Sequence, residues 1–176
     1  LVVACGRAPE DGGPSNPMAP GGPPASSQAR LLVVTHTAGF RHDSIPAAEN
    51  AIRDLGIENR LYETEFCRTA DDVRQRLTPA GLASFDAVFF VNTTGNLGIP
   101  DLGAFLSWIS QGRAFLGAHS ASDTYHDAPE YLQMLGGEFL THGAIAEADV
   151  RVDDPAHPAV AHLSPRFRIV DELYRF

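Results

Sequence analysis

The 176-residue sequence contains no lysine, and its 13 basic residues are all arginine. That absence excludes Schiff-base catalysis, an anchored pyridoxal phosphate and the lysine of a phosphate-binding loop, each of which needs a primary amine. Basic charge is scarce as well. Set against 22 acidic residues, the arginines leave a formal net charge of −9, so nucleic acid, which binds to basic stripes, is not an expected partner. There are two cysteines in the whole chain, too few for a disulfide framework. No apolar stretch reaches the roughly 20 residues that a transmembrane helix requires. What is present is ordinary for a globular protein: 44% hydrophobic residues, in a length that suits one α/β domain.

The first 29 residues stand apart from the rest. Leu1-Val2-Val3-Ala4-Cys5-Gly6 is a short apolar run, a small residue and a cysteine. This order looks like the lipobox of bacterial lipoproteins, in which the cysteine is lipidated after the signal peptide is cut. A buried strand ending in cysteine is the plainer alternative. Residues 6–29 favour the lipobox, because Gly, Pro and Ser dominate them and such a segment buries too little apolar surface to offset its ordering entropy. The expected organisation is the end of a signal peptide over 1–5 with lipidation at Cys5, a disordered tether over 6–29, and a domain over 30–176. The expected location is the cell envelope, outside the cytoplasm, with membrane contact only through the lipid anchor. Cys67 is then left alone and no intrachain disulfide is expected. The chain begins with Leu rather than Met, which reads as an incomplete N-terminus.

Within the domain, Leu31-Leu32-Val33-Val34 is a continuous apolar run, the pattern of a strand buried on both faces of a parallel sheet. A helix is predicted over Ser44 to Leu55, with Ser44 as N-cap, Pro46 in the first turn and Gly56 as the stop. Ile45, Ala48, Ile52 and Leu55 share its apolar face. Leu61 to Phe66 alternates as a half-exposed strand does. Asp71 to Leu77 reads as a short helix, with Pro79 and Gly81 near its end. Ala87 to Val91 is the strongest strand, Pro100 opens a helix that Gly112 ends, and Ala114 to Ala118 is the next buried strand. A short helix follows around Pro129 to Leu135, then an extended stretch from Ala146 to Val152. Alternating strands and helices with short links predict a doubly wound, mostly parallel α/β sheet.

In such a sheet, ligands bind outside the carboxyl ends of the strands, and the unusual residues gather at those ends. The first strand runs into His36, with Phe40, Arg41, His42 and Asp43 close behind. The third stops at Asn92-Thr93-Thr94-Gly95, and the fourth at His119-Ser120-Ala121-Ser122-Asp123. His36, His42 and His119 therefore converge on one edge. Each alone has a plainer reading as a hydrogen-bonded structural residue, Asn92-Thr93-Thr94 as turn chemistry, and His126-Asp127 as a cap for the next helix. No spacing matches a metal signature such as H-E-x-x-H, so a divalent metal is the minority reading and the cofactor stays open. Gly117-Ala118-His119-Ser120-Ala121 lies at a strand-to-helix transition where nucleophile elbows occur. Its central position is His119 rather than serine, which suits acid, base or ligand chemistry. Ser120 and Ser122 are nucleophile candidates, with Cys67 a distant third.

These residues carry a resemblance. Val34-Thr35-His36 with Gly39-Phe40-Arg41-His42, Gly117 to Asp123, Gly136-Gly137-Glu138-Phe139 with His142, Val152-Asp153-Asp154-Pro155 with His157-Pro158, and Asp171-Glu172-Leu173-Tyr174 appear in order and look like the trehalose-utilisation (ThuA-like) family. The resemblance implies a class I glutamine amidotransferase-like fold, a flavodoxin-like three-layer α/β/α sandwich. It also implies histidine in place of the amidotransferase cysteine, so no glutaminase activity is expected. By resemblance the domain serves carbohydrate utilisation, acting on trehalose, a related disaccharide or a keto-sugar in a histidine-rich pocket. The expected catalytic residues are His36, His42, His119 and Asp123; the expected sugar-binding residues are Arg41, Asn92, Thr93, Ser120, His142 and Glu172. A sugar-modifying hydrolase or lyase is one reading, and a non-catalytic carbohydrate-binding or scaffolding module is the other. Family domains continue past the Asp-Glu-x-Tyr motif, so a C-terminally truncated domain is expected here.

Overall fold

The computed structural model describes residues 28–176; Cys5 and residues 6–27 of the expected tether lie outside the described residues. The chain divides into two units, with the break between Glu138 and Phe139.

Among the described residues, the first unit is built on four strands: β1 (Ala29–Val34), β2 (Tyr62–Cys67), β3 (Ala87–Val91) and β4 (Ala114–Ala118). All pair in parallel, in the order β2-β1-β3-β4. The connections are α1 (Ile45–Asn59), then α2 (Ala70–Arg76) with α3 (Pro79–Leu82), then α4 (Leu102–Ser110); α5 (Pro129–Leu135) follows β4. Period-two alternation along the strands separates two cores. Leu32, Val34, Val88 and Phe90 face one side, where they meet Val73 of α2, Leu82 of α3, Phe105 of α4 and Tyr131 of α5. Leu31, Val33 and Val91 face the other, against Ile52 of α1. The result is the predicted flavodoxin-like sandwich of helix, parallel sheet and helix. β1 runs through its middle, and Leu32, Val33 and Val34 have no exposed surface; burying each stabilises the fold by roughly 1.5–3 kcal/mol.

Several local expectations need correcting. α1 does not stop at Gly56 but continues to Asn59, and Arg60 closes it in the left-handed conformation. Gly56 answers to a neighbour instead: a Cβ there would lie 2.6 Å from the Tyr62 ring and 2.8 Å from its carbonyl oxygen. Tyr62 packs so closely because its hydroxyl donates to the Ile52 carbonyl at 2.9 Å. Leu55 is exposed rather than part of the apolar face. Ser44 makes no side-chain cap, since its hydroxyl accepts from Asn92 Nδ2 at 2.8 Å. Pro79 and Gly81 do not close α2; they lie in α3, whose N-terminus Thr78 caps by accepting from the Gly81 amide. α4 starts at Leu102 rather than Pro100, and Asp101 caps it by accepting from the Ala104 amide.

The second unit holds four short strands. β5 (Thr141–His142) pairs antiparallel with β8 (Tyr174–Arg175), and β6 (Ala146–Arg151) with β7 (Arg166–Asp171). The β6–β7 register sets Ala148 opposite Ile169 and Val150 opposite Phe167 on one face, and Asp149 opposite Arg168 on the other. Arg168 bonds both Asp149 and Glu147 at 3.0 Å. Among the described residues, no helix is long and apolar enough to cross a membrane.

Candidate functional site

Along the sheet the strand order reverses between β1 and β3, and in open α/β sheets such a reversal makes the crevice beyond the carboxyl ends of the strands the place where ligands bind. Three loops form its rim within the first unit, and each is fixed by its neighbours. The loop after β1 is held by Thr94, whose carbonyl accepts from the Ala38 amide at 2.9 Å and whose hydroxyl donates to the Phe40 carbonyl at 2.8 Å. The Thr37 hydroxyl lies 2.8 Å from the same carbonyl and against the Thr94 hydroxyl, so that two hydroxyl hydrogens serve the three contacts. Gly39 is required at this contact, because a Cβ there would fall 2.8 Å from Thr94 Oγ1. The loop after β3 is in turn joined to the segment after β4. The Gly95 amide donates to the Asp123 carbonyl at 2.8 Å, and the Thr93 and Thr124 hydroxyls bond at 2.8 Å.

β4 ends in a sharp turn. His119 has φ 51, the left-handed region that a residue with a side chain enters at a cost, and a 3-10 turn over His119–Asp123 follows at once. Only small residues fit around it. A Cβ on Gly117 would lie 3.1 Å from both Ala121 Cβ and Leu135 Cδ1, which accounts for glycine and alanine flanking His119 two positions away. Tyr131 of α5 steadies the turn by donating its hydroxyl to the Ala121 carbonyl at 2.9 Å.

This elbow brings His119 to His42. Their Nε2 atoms are 3.0 Å apart, with the rings edge to face at 4.6 Å. Ser120 Oγ lies 3.4 Å from His42 Nδ1, and the Phe40 ring meets the His42 edge at 4.9 Å. Two facing imidazole nitrogens at this distance share one N–H, so one ring donates while the other accepts. Such a pair can take a proton at one ring and release one at the other. Imidazole nitrogen is also a ligand for first-row divalent metals, which leaves that chemistry compatible with the pair.

The remaining expected residues have the following partners within their own units. The charged neighbours of His36 are Arg41, Arg74 and Asp72; burial, then the two guanidinium groups, hold its pKa below the ordinary imidazole value. Arg41 donates to the Thr35 carbonyl at 3.4 Å. Asn92 and Thr93 are buried in the framework, their side chains bonded to Ser44 and Thr124. Asp123 bonds His126 at 2.7 Å, and His126 bonds Glu138 at 2.7 Å. In the second unit, His142 donates from Nδ1 to the Gly143 carbonyl at 2.7 Å, stacks on Tyr174 at 5.8 Å, and has Nε2 3.9 Å from the Glu172 carboxylate.

Two further residues lie outside the expected site set. Glu49 of α1, whose side chain is 12% exposed, accepts from the Thr35 hydroxyl at 2.6 Å and from Arg68 Nε at 2.9 Å. Burial alone would raise its pKa, but the bonds from Arg68 and Thr35 outweigh it and hold the carboxyl below its usual range. The available signal was its position: Glu49 interrupts the apolar stripe of Ile45 and Ile52 on α1. His126 is the other, with partners on both sides in the chain. Cys67, by contrast, is fully buried, and desolvation pushes its thiol up to about 12, which removes it as a nucleophile.

A family model described as ThuA, trehalose utilisation, matches residues 30–176. Among solved structures, the chain is similar to a ThuA-like protein from Bacteroides uniformis ATCC 8492, with 18% sequence identity and a TM-score of 0.61. The match covers 89% of this chain and 64% of that one, so the chain spans somewhat under two thirds of the neighbour's length. At this identity the likeness carries the fold. No curated protein matches the sequence.

Proposed function

From the premise that this chain belongs to the trehalose-utilisation (ThuA) family, we propose that its domain acts on a sugar, trehalose or a related disaccharide or keto-sugar, at His42 and His119. The observation that carries this reading is the 3.0 Å approach of the two Nε2 atoms at the carboxyl edge of the sheet. On a keto-sugar, one ring takes the proton from the carbon beside the keto group, a C=C bond forms as the C–O bond to the neighbouring carbon breaks, and the other ring gives a proton to the departing oxygen. Ser120 orients His42 through Nδ1. Arg41 and His36, the latter neutral by its lowered pKa, supply hydrogen bonds to further hydroxyls. Glutamine hydrolysis is not expected, because the elbow position carries His119 where a thiol nucleophile would be needed.

The experiment is to incubate the full-length protein with trehalose, other disaccharides and their 3-keto derivatives, with and without chelator, and to follow products. Turnover that falls at least about 100-fold in both His42→Ala and His119→Ala is expected, the size of a lost acid–base group. Calorimetric binding without product would make the domain a carbohydrate-binding module. Neither binding nor turnover of any of these sugars would remove the reading. Anchoring at the cell envelope is part of the same proposal and rests on Leu1 to Gly6. Incorporation of labelled fatty acid that disappears in Cys5→Ala tests it.

A further inference from the structure

His126 reads from the sequence as a helix cap, yet its ring is bonded at both ends. Nε2 is 2.7 Å from Asp123 Oδ1 and Nδ1 is 2.7 Å from Glu138 Oε1. Ionised carboxylates only accept hydrogen bonds, and a neutral imidazole offers a single N–H. Both bonds therefore exist together when the ring carries two protons, and their length is that of charge-assisted pairs. Asp123 is the last residue of the turn that begins at His119, whereas Glu138 lies beyond α5 in the chain. The bridge thus ties the far end of the elbow turn across α5.

We infer that His126 is a positioning residue, an imidazolium clasp that joins Asp123 to Glu138 and so holds the turn presenting His119 and Ser120. The link to function rests on the sugar reading above; the clasp itself does not. Asp123 is the side of the clasp that reaches the site. Its carbonyl accepts the Gly95 amide at 2.8 Å, and the Tyr125 amide returns to the Gly95 carbonyl at 3.4 Å. Between the two clasped carboxylates the chain also holds Tyr125 at φ 56, a conformation that needs its surroundings to maintain it.

The charged groups facing His126 are Glu138 and Asp123, and both favour the cation. Glu138 first, then Asp123, raise its pKa above the ordinary imidazole value, against a smaller opposing effect of burial. Asp127, its neighbour in the chain, has the same sign as these two. The clasp is complete below the raised pKa. As pH rises through it, one N–H is lost and one carboxylate is released, so the turn loosens on the alkaline side.

The test uses the full chain, with His126→Gln and, as a second variant that keeps the histidine, Glu138→Gln. NMR is expected to show two ring N–H protons on His126 at pH values below its midpoint, and a midpoint above the ordinary value of about 6.5. In Glu138→Gln that midpoint falls. Amide exchange at Gly95 and Tyr125, corrected for the intrinsic rate, is expected to quicken by about fivefold in His126→Gln, the equivalent of one hydrogen bond. The alkaline limb of sugar turnover should move down in pH in Glu138→Gln, together with the His126 midpoint. A single ring N–H, an ordinary midpoint or unchanged exchange in both variants would overturn the clasp. A loosened turn with wild-type turnover unchanged in His126→Gln would overturn the positioning role. A loosened turn in a protein that neither binds nor turns over any sugar keeps the clasp and removes the sugar reading alone.

Discussion

At φ 51, His119 stands in a backbone region that costs a residue with a Cβ about 1–2 kcal/mol relative to glycine. Ordinary substitution logic is inverted there. His119→Gly and His119→Ala remove the same imidazole and the same contact with His42, so they differ in backbone preference alone. Glycine is expected to be the more stable of the two by about 1 kcal/mol, although glycine is normally the more costly residue. Urea denaturation of both variants checks this, and alanine proving equal or better would mean that the turn relaxes out of the left-handed region. Both variants lose the proposed chemistry. Strain held at a reactive side chain is a common arrangement at functional turns, and His119 is where that trade between stability and function is expressed.

The same reasoning applies to elements. Gly56 lies inside α1, where alanine would gain about 1 kcal/mol of helix propensity. The Tyr62 ring and carbonyl leave no room for a methyl, and overpacking costs about 1–3 kcal/mol. Gly56→Ala is expected to destabilise by about 1 kcal/mol net, and a rise in the melting temperature would contradict the packing account. α1 also shows what a sequence does and does not disclose. Continuous apolar runs announced β1, β3 and β4, because strands covered on both faces have no polar positions to blur the signal. A glycine near the end of a helix looks the same whether it terminates the helix or admits a tyrosine ring, and the ring belongs to the next strand. β5 and β8 went unread because two residues each are too few to show a period; β7 alternates only from Arg166 to Ile169 before Val170 breaks the pattern. For the site, strand-end logic was enough to bring His42, His119 and Ser120 together. It did not disclose the partners of Asp123 and Asn92, His126 and Ser44, which are set by loop geometry rather than by spacing along the chain.

Across the whole molecule, pH acts through groups of opposite sign. Glu49 has a lowered folded pKa, so its contribution is present above the unfolded value and is lost as pH falls through the folded one. His36, also lowered, penalises the folded state at low pH, and that penalty disappears as pH rises from its folded value to the ordinary imidazole value. His126 is raised, and its contribution fades as pH rises through the folded pKa. Stability is therefore expected to be greatest near neutrality and to fall on both sides. Glu49→Gln isolates the acid limb. It should cost about 2 kcal/mol at pH 7, the scale of a charge-assisted hydrogen bond. The gap to wild type should then close as pH drops through the carboxylate range, where Glu49 itself takes up a proton. A gap that stays constant with pH would show that the carboxylate charge is not what Arg68 and Thr35 recognise.

The place of β1 in the sheet has a consequence for how the chain is made. It is the first strand of the domain to leave the ribosome, and its Leu32, Val33 and Val34 end up with no exposed surface. Its two hydrogen-bonding neighbours are β2 and β3, and the later of these ends at Val91. Until that point has been synthesised, this apolar segment waits with at least one edge open. Nascent chains halted before Val91 should therefore be the species on which chaperones act, since long-range parallel pairing leaves such edges exposed.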